Sequence, residues 1–246
     1  MLAMATTKVL SHLLLTALFA QQLDGKSIFY LREEVELQLP DGIIEVSQRD
    51  IWIGARRMRV DNPQDKTSLI YAQDINSMFM LNHQRKEYVF ATPGQDKRVT
   101  QRPLFGLAAL HNGQLVKRGS FLEETGGRKK IGPFYCREFK LNYPSQYGIT
   151  TRIWASVYPV HVSPRTFLRV WYAGAGINPP PDVRSILGLI MRELGGVPIQ
   201  LTSEIEQEGM EIVTTSTITV MERRHDFPED IFDIPSDYKK GDMSQN

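Results

Sequence analysis

The sequence predicts a mainly β protein with a few helices, an α+β chain built on a curved antiparallel sheet that helices cover. Three observations predict this class. Short segments with two-residue alternation of apolar and polar side chains recur along most of the chain, the pattern of half-buried strands. Turns rich in Gly, Asn, Asp and Pro separate them at hairpin spacing, with no room for βαβ crossovers. Late in the chain a helical stretch is apolar over more than one face, so it must be covered on more than one side.

The first strand follows Ser27, where Val35, Leu37 and Leu39 alternate with Glu34, Glu36 and Gln38. Asp41-Gly42 is a hairpin signal, and extended chain resumes from Ile43 to Ile53. Arg56 to Val60, Ser68 to Ala72, Ser77 to Leu81 and Lys86 to Ala91 continue the meander. Pro103 opens a short helical piece to about Leu110, since proline suits a helix's first turn. Strand character returns over Leu115 to Glu124, Tyr135 to Asn142 and Thr150 to Val157. In the last of these, Ile153, Ala155 and Val157 share one face and Arg152, Trp154 and Ser156 the other.

Two helices follow. Ser163-Pro164 caps the first, which runs to about Ala173 and carries Phe167 and Trp171. The loop Gly174 to Pro181 ends at Asp182, the cap of the second. There Val183, Leu187, Ile190 and Leu194 form a stripe that Ile186, Leu189 and Met191 widen, until Gly195-Gly196 stops it. Val197 to Glu204 and Met210 to Met221 form a closing hairpin turned at about Glu208-Gly209, its threonine run favouring strand. Residues after Tyr238 are polar, and the tail beyond about 239 is expected to be disordered.

The N-terminus reads as an address. Lys8 precedes an apolar-rich run from Val9 to Ala20, the layout of a secretory signal with cleavage after Ala20. The run is shorter than the roughly 20 apolar residues a membrane-spanning helix needs. The expectation is therefore export to the periplasm or extracellular space, with no permanent membrane span. Residues 1–20 would be the signal and 21–246 one domain. Retention of the segment as an uncleaved anchor is the alternative.

Charge and motifs exclude several classes. Of 29 basic and 28 acidic residues, Lys8 is the only charged one in the first twenty, so the remainder balances. Nothing there draws the chain to nucleic acid. No Gly-x-Ser-x-Gly elbow, dinucleotide fingerprint, phosphate loop or His-Glu-x-x-His occurs, and the five histidines are scattered. Neither a cofactor nor a metal site is expected. Cys136, the single cysteine, reads as a small buried hydrophobe, with a reactive thiol as the sharper alternative. The basic clusters at Arg56–Arg59, Arg128–Lys130 and Arg223–Arg224 read as solvated surface. Trp154, between Arg152 and Ser156, is either exposed or covered by something extra.

Several segments carry a resemblance. They are Asp50 to Asp61, Met80 to Tyr88, Lys130 to Phe139, Arg152 to Ala155, Gly196 to Gln200 and the closing block Phe227 to Tyr238. Together they resemble an uncharacterised family of exported bacterial proteins related to the outer-membrane lipoprotein carriers (LolA-like), over about residues 27–240. The resemblance implies an unclosed β half-barrel whose hollow is covered by helices and, in the carriers, holds acyl chains. The chain departs from the carriers in lacking a helix after the signal and in its proline-rich inter-helix loop.

The function expected is a non-enzymatic binding protein that holds a lipid, acyl chain or other apolar ligand between sheet and helices. The cavity candidates are Leu187, Ile190, Met191, Leu194, Phe167, Trp171 and Trp154. A structural or interaction protein of the cell envelope, with its hollow filled by its own side chains, is the alternative. An envelope enzyme built on Cys136 or on His161 with a nearby Asp is a third.

Overall fold

The structure is a computed structural model and describes residues 27–72, 77–91, 122–141, 149–157, 190–207 and 209–241. Two antiparallel meanders make up the sheet. The first runs through β1 (Ile28–Gln38), β2 (Ile44–Ile53), β3 (Arg57–Asn62), β4 (Thr67–Ala72), β5 (Ser77–Asn82) and β6 (Glu87–Ala91). The second runs through β7 (Leu122–Ile131), β8 (Phe134–Leu141), β9 (Ile149–Ser156), β10 (Pro198–Gln207) and β11 (Met210–Arg224). They join where β1 pairs with β11 along its whole length, from Ile28 opposite Arg224 to Gln38 opposite Val213. A short β12 (Lys239–Lys240) completes the order β12-β6-β5-β4-β3-β2-β1-β11-β10-β9-β8-β7.

Most expected strands are present within one or two residues. The largest departure is β7, expected over 115–124 but running from Leu122 to Ile131, with 115–121 outside the described residues; β10 and β11 each run three residues past their expected ends, and β12 was not expected. The Gly126-Gly127 pair of β7 and the basic run after it resemble a turn in sequence. In the sheet they form a register irregularity between Glu124 and Arg128, with Gly126 at φ 84°. A Cβ at Gly127 would lie 2.7 Å from Glu138 Oε2 and 3.0 Å from its Cβ, so a side chain there would crowd Glu138 on β8.

Alternation sends one face of the sheet into the core. Phe29, Leu31, Ile51, Ile53, Met58 and Val60 come from the first meander. Phe139, Leu141, Ile153, Ala155, Ile199, Leu201 and Ile218 come from the second. Ile190, Met191 and Leu194, from the helical turn at 190–194, join the same cluster, each no more than 2% exposed. Helical side chains thus lie on the apolar face of a bent antiparallel sheet, the predicted relation.

The opposite face of β3–β6 is covered too. Ile70, Ala72 and Leu81 point away from Met58 and Val60 yet are buried. The chain after β11 crosses this side. Arg59 Nη1 donates to the Ile231 carbonyl at 3.0 Å, and Arg57 pairs with Asp233 at 2.6 Å. Phe232 fits over Gly54, where an added Cβ would be 3.0 Å from its ring. Lys86 pairs with Asp237, and Lys239 and Lys240 then lie parallel to Glu87 and Tyr88. The disorder expected beyond about 239 is therefore corrected for residues 239–241. Their backbone is held on the β6 edge, with Lys239 N and Gly241 N donating to the carbonyls of Lys86 and Tyr88. Residues 242–246 lie outside the described residues.

Candidate functional site

The inward face changes character along the strands. At one end lies the closed apolar floor just described. A diagonal row of buried polar side chains crosses the next step: Arg49 on β2, Glu33 on β1, Ser216 on β11, Ser203 on β10 and Thr151 on β9. Beyond that row the same face carries Val35, Leu37, Ile205 and Ile212, all half-buried. At the hairpin tips Met210 is exposed on this face, while Ile44 and Val46 are exposed on the other.

Glu33 is the centre of the row. Phe29, Leu31, Glu33, Val35 and Leu37 all lie on one side of β1, so period 2 puts this carboxyl on the core side. It has no solvent exposure. Ser216 Oγ donates to its Oε1, and Arg49 Nη1 stands 3.6 Å from Oε2. Burial pushes the carboxyl above the usual carboxylate range, while Arg49 and then Ser216 oppose that shift. A register shift in the β1–β11 pairing lies between Arg32 and Glu33, leaving Thr219 as the extra residue of a bulge. Such bulges re-aim neighbouring side chains. Farther along the row, the Thr151 and Ser203 hydroxyls pair at 3.1 Å.

The outer face holds a separate, well-bonded network. Asp50 accepts from Tyr30 at 2.6 Å and from Arg32 at 2.9 Å. Asp61 accepts from Trp52 Nε1 at 3.1 Å, from Arg59 Nε at 2.6 Å and from Ser68 Oγ. Arg224 stacks 3.9 Å from the Tyr30 ring centroid. Ser68 and His83 are 2.6 Å apart, and His83 Nδ1 meets Tyr238 Oη at 2.6 Å. That geometry suggests a nucleophile and base only superficially. Ser68 is 2% exposed and gives its proton to Asp61, so its oxygen is left to accept from His83. Burial first, and the nearby Arg59 second, hold the imidazole below its ordinary pKa. The pair fastens the C-terminal strap to β4 and β5.

The candidates fall out as follows. Ile190, Met191 and Leu194 meet in the core, and Arg137 Nη2 donates to the Leu194 carbonyl at 3.0 Å, holding the end of the helical turn. Trp154 is on the face opposite Ile153, half-buried, with the Lys129 ammonium 4.1 Å above its ring and that ammonium also bound to Gln200 at 2.7 Å. Of the two alternatives for it, exposed or covered, it is covered, by a lysine side chain from β7. Leu187, Phe167, Trp171 and His161 lie outside the described residues. Cys136 is fully buried and its thiol is raised to about 11 by burial, the state of a neutral hydrophobe.

Reading the residues singly missed Glu33 and Arg49, although the signal was present. Extending the β1 alternation back one step puts Glu33 inward, and extending Ile53, Ile51 along β2 does the same for Arg49. Arg59, read as solvated surface, is instead bonded to Asp61, Ser68 and the strap. Among the described residues no three His, Cys, Asp or Glu side chains gather in a metal-binding group. Nor is any described helix long and apolar enough to cross a membrane.

With this geometry in hand, the chain can be set beside known proteins. No family profile and no curated relative matches it. The chain is similar to a LolA superfamily protein. That protein, from Nitrosomonas europaea, shares 11% identity at a TM-score of 0.36, covering 88% of this chain and 96% of the other. An uncharacterized conserved protein from Thermus thermophilus shares 7% at a TM-score of 0.44, covering 94% and 98%. PNGF-II shares 7% at 0.37, over 88% of this chain, which spans only 31% of PNGF-II's length. The likeness is one of strand arrangement, and nothing that those proteins bind is carried over from it.

Proposed function

We propose that the protein is exported and holds an apolar ligand, a lipid or acyl chain, against the concave face of its sheet, without catalysing a reaction. One observation supports this above the others. The inward face is fully packed on one side of the Arg49–Glu33–Ser216 row and only half-buried on the other, at Val35, Leu37, Ile205 and Ile212. An acyl chain laid there would lose water contact at roughly 25 cal/mol per Å² of apolar area. Ile190, Met191 and Leu194 anchor one end of the cover. Leu187, one turn earlier on the same sequence stripe, and Phe167 and Trp171 are the further ligand contacts proposed from the sequence.

Export rests on the Lys8 to Ala20 pattern, with cleavage after Ala20 and a periplasmic or extracellular destination. The non-enzymatic reading is supported by the neutral, buried Cys136 and by Ser68 being committed to Asp61. Native mass spectrometry of the purified full chain tests the binding reading. Co-purifying lipid, displaced by added fatty acid or monoacylglycerol, is expected. A bare protein that also fails to take up added dodecyl-chain amphiphiles would overturn it.

A second reading has its own observation. Ile44 and Val46 are each 54% exposed on the outer face of β2, an apolar pair of the kind that docks on another envelope protein. Pull-down from envelope extracts with Ile44→Asp as the control separates it from ligand carriage.

A further inference from the structure

The buried pair on the concave face is left incomplete by the protein's own groups. Glu33 Oε2 is buried and has no hydrogen-bond donor. Arg49 Nη1, at 3.6 Å, lies beyond hydrogen-bond length. Arg49 itself is only 8% exposed, and its guanidinium faces Glu33 as an ion pair. A buried acceptor without a donor thus faces a guanidinium across a gap too wide for direct bonding. A buried acceptor left without a donor keeps its desolvation penalty uncompensated, so it points to a place where a donor from outside the chain binds. Its position is as telling as its chemistry. The pair stands at the boundary between the packed floor and the half-buried Val35, Leu37, Ile205 and Ile212, beside the Thr219 bulge.

We propose that Glu33 and Arg49 form the head-group subsite of the ligand face, selecting a neutral amphiphile whose head both donates and accepts, such as a monoacylglycerol. The inference rests on the apolar-ligand reading above and names the class of ligand. A hydroxyl there donates to Glu33 Oε2 and accepts from Arg49, and both hydrogen bonds are charge-assisted. The acyl chain then runs over Val35 and Leu37 toward Ile205 and Ile212. A carboxylate head meets Glu33 and an ammonium head meets Arg49, so neither charge gains enough to offset its own desolvation. A methyl ester accepts from Arg49 but leaves Oε2 without a donor.

Calorimetric titration of the purified full chain with 1-monolauroylglycerol, methyl laurate, laurate and dodecylamine tests the subsite. Each is used below its aggregation concentration. The expected result is monolauroylglycerol binding at least about tenfold more tightly than the other three, the factor that one charge-assisted hydrogen bond represents. Glu33→Gln is expected to remove about that factor for monolauroylglycerol and to leave methyl laurate unchanged. If methyl laurate binds and monolauroylglycerol binds no tighter, the subsite falls while ligand carriage stands. Laurate binding tightest also overturns the subsite. If none of the four binds, the carriage reading falls with it. The ligand ladder on the unaltered protein decides the matter even if Glu33→Gln fails to fold.

Discussion

Removing Arg49 is the sharpest way to expose the cost of the buried carboxyl. Arg49→Met keeps most of the side-chain volume and leaves Glu33 with Ser216 as its remaining partner. At 3.6 Å and an effective dielectric near 20, the lost attraction is on the order of 4–5 kcal/mol. Protonation sets a ceiling below that figure. Neutralising a carboxyl at pH 7 from its ordinary value near 4.5 costs about 3 kcal/mol, at 1.36 kcal/mol per pH unit. The carboxyl takes a proton rather than suffer more, so the loss at pH 7 is expected to be at most about 3 kcal/mol, less the part that burial already imposes on the native carboxyl. The sign follows from linkage. An acid whose folded pKa is raised binds more protons in the native state, so stability is fullest below pH 4.5 and falls as pH rises through the folded value. At pH 4.5 the Arg49→Met loss therefore shrinks to under about 1 kcal/mol. Urea unfolding at the two pH values measures both, and Glu33→Gln with Arg49→Met should recover most of the loss at pH 7. Equal destabilisation at pH 4.5 and pH 7, or a double variant as weak as Arg49→Met, would refute the reasoning.

Other consequences are as concrete. Leu194→Ala empties a fully buried position at the end of the helical turn and should cost about 2–5 kcal/mol, read as a lower urea midpoint at unchanged slope. Gly54→Leu drives a side chain into Phe232, which should cost about 1–3 kcal/mol and open residues 225–241 to limited proteolysis. The Tyr30 phenol is pushed up to about 12, chiefly by burial and then by its hydrogen bond to Asp50. The native state keeps that proton between pH 10 and about 12, so stability should fall as pH rises through this window. Asp50→Asn should bring the phenolate absorbance transition down toward 10.

How far the sequence revealed this molecule differs from element to element. Strands β1 to β6 were legible because alternation and turn residues act locally, within a hairpin. Strand β7 was not, since Gly126-Gly127 and Arg128–Lys130 look like a turn unless β8 is known to lie beside them. The strap was invisible for a related reason. Phe232, Asp233 and Tyr238 find their partners at Gly54, Arg57 and His83, more than 150 residues away in the chain. Of the apolar helical candidates, Ile190, Met191 and Leu194 are packed where periodicity implied. Trp154 went to the outer face, because its strand parity opposes Ile153. Glu33 could have been found, since it interrupts an otherwise apolar inward row, and Arg49 follows as the inward position after Ile53 and Ile51.

Photo-crosslinking offers the most direct test of where the ligand lies. A monoacylglycerol carrying a diazirine near the end of its acyl chain is bound to the full chain, irradiated and mapped by peptide mass spectrometry. Labels are expected on the β1 and β10–β11 peptides that hold Val35, Leu37, Ile205 and Ile212, and should vanish in Leu37→Asp. Labels confined to the outer face around Trp52 and Trp154, or unchanged by Leu37→Asp, would contradict a ligand held on the concave side of the sheet.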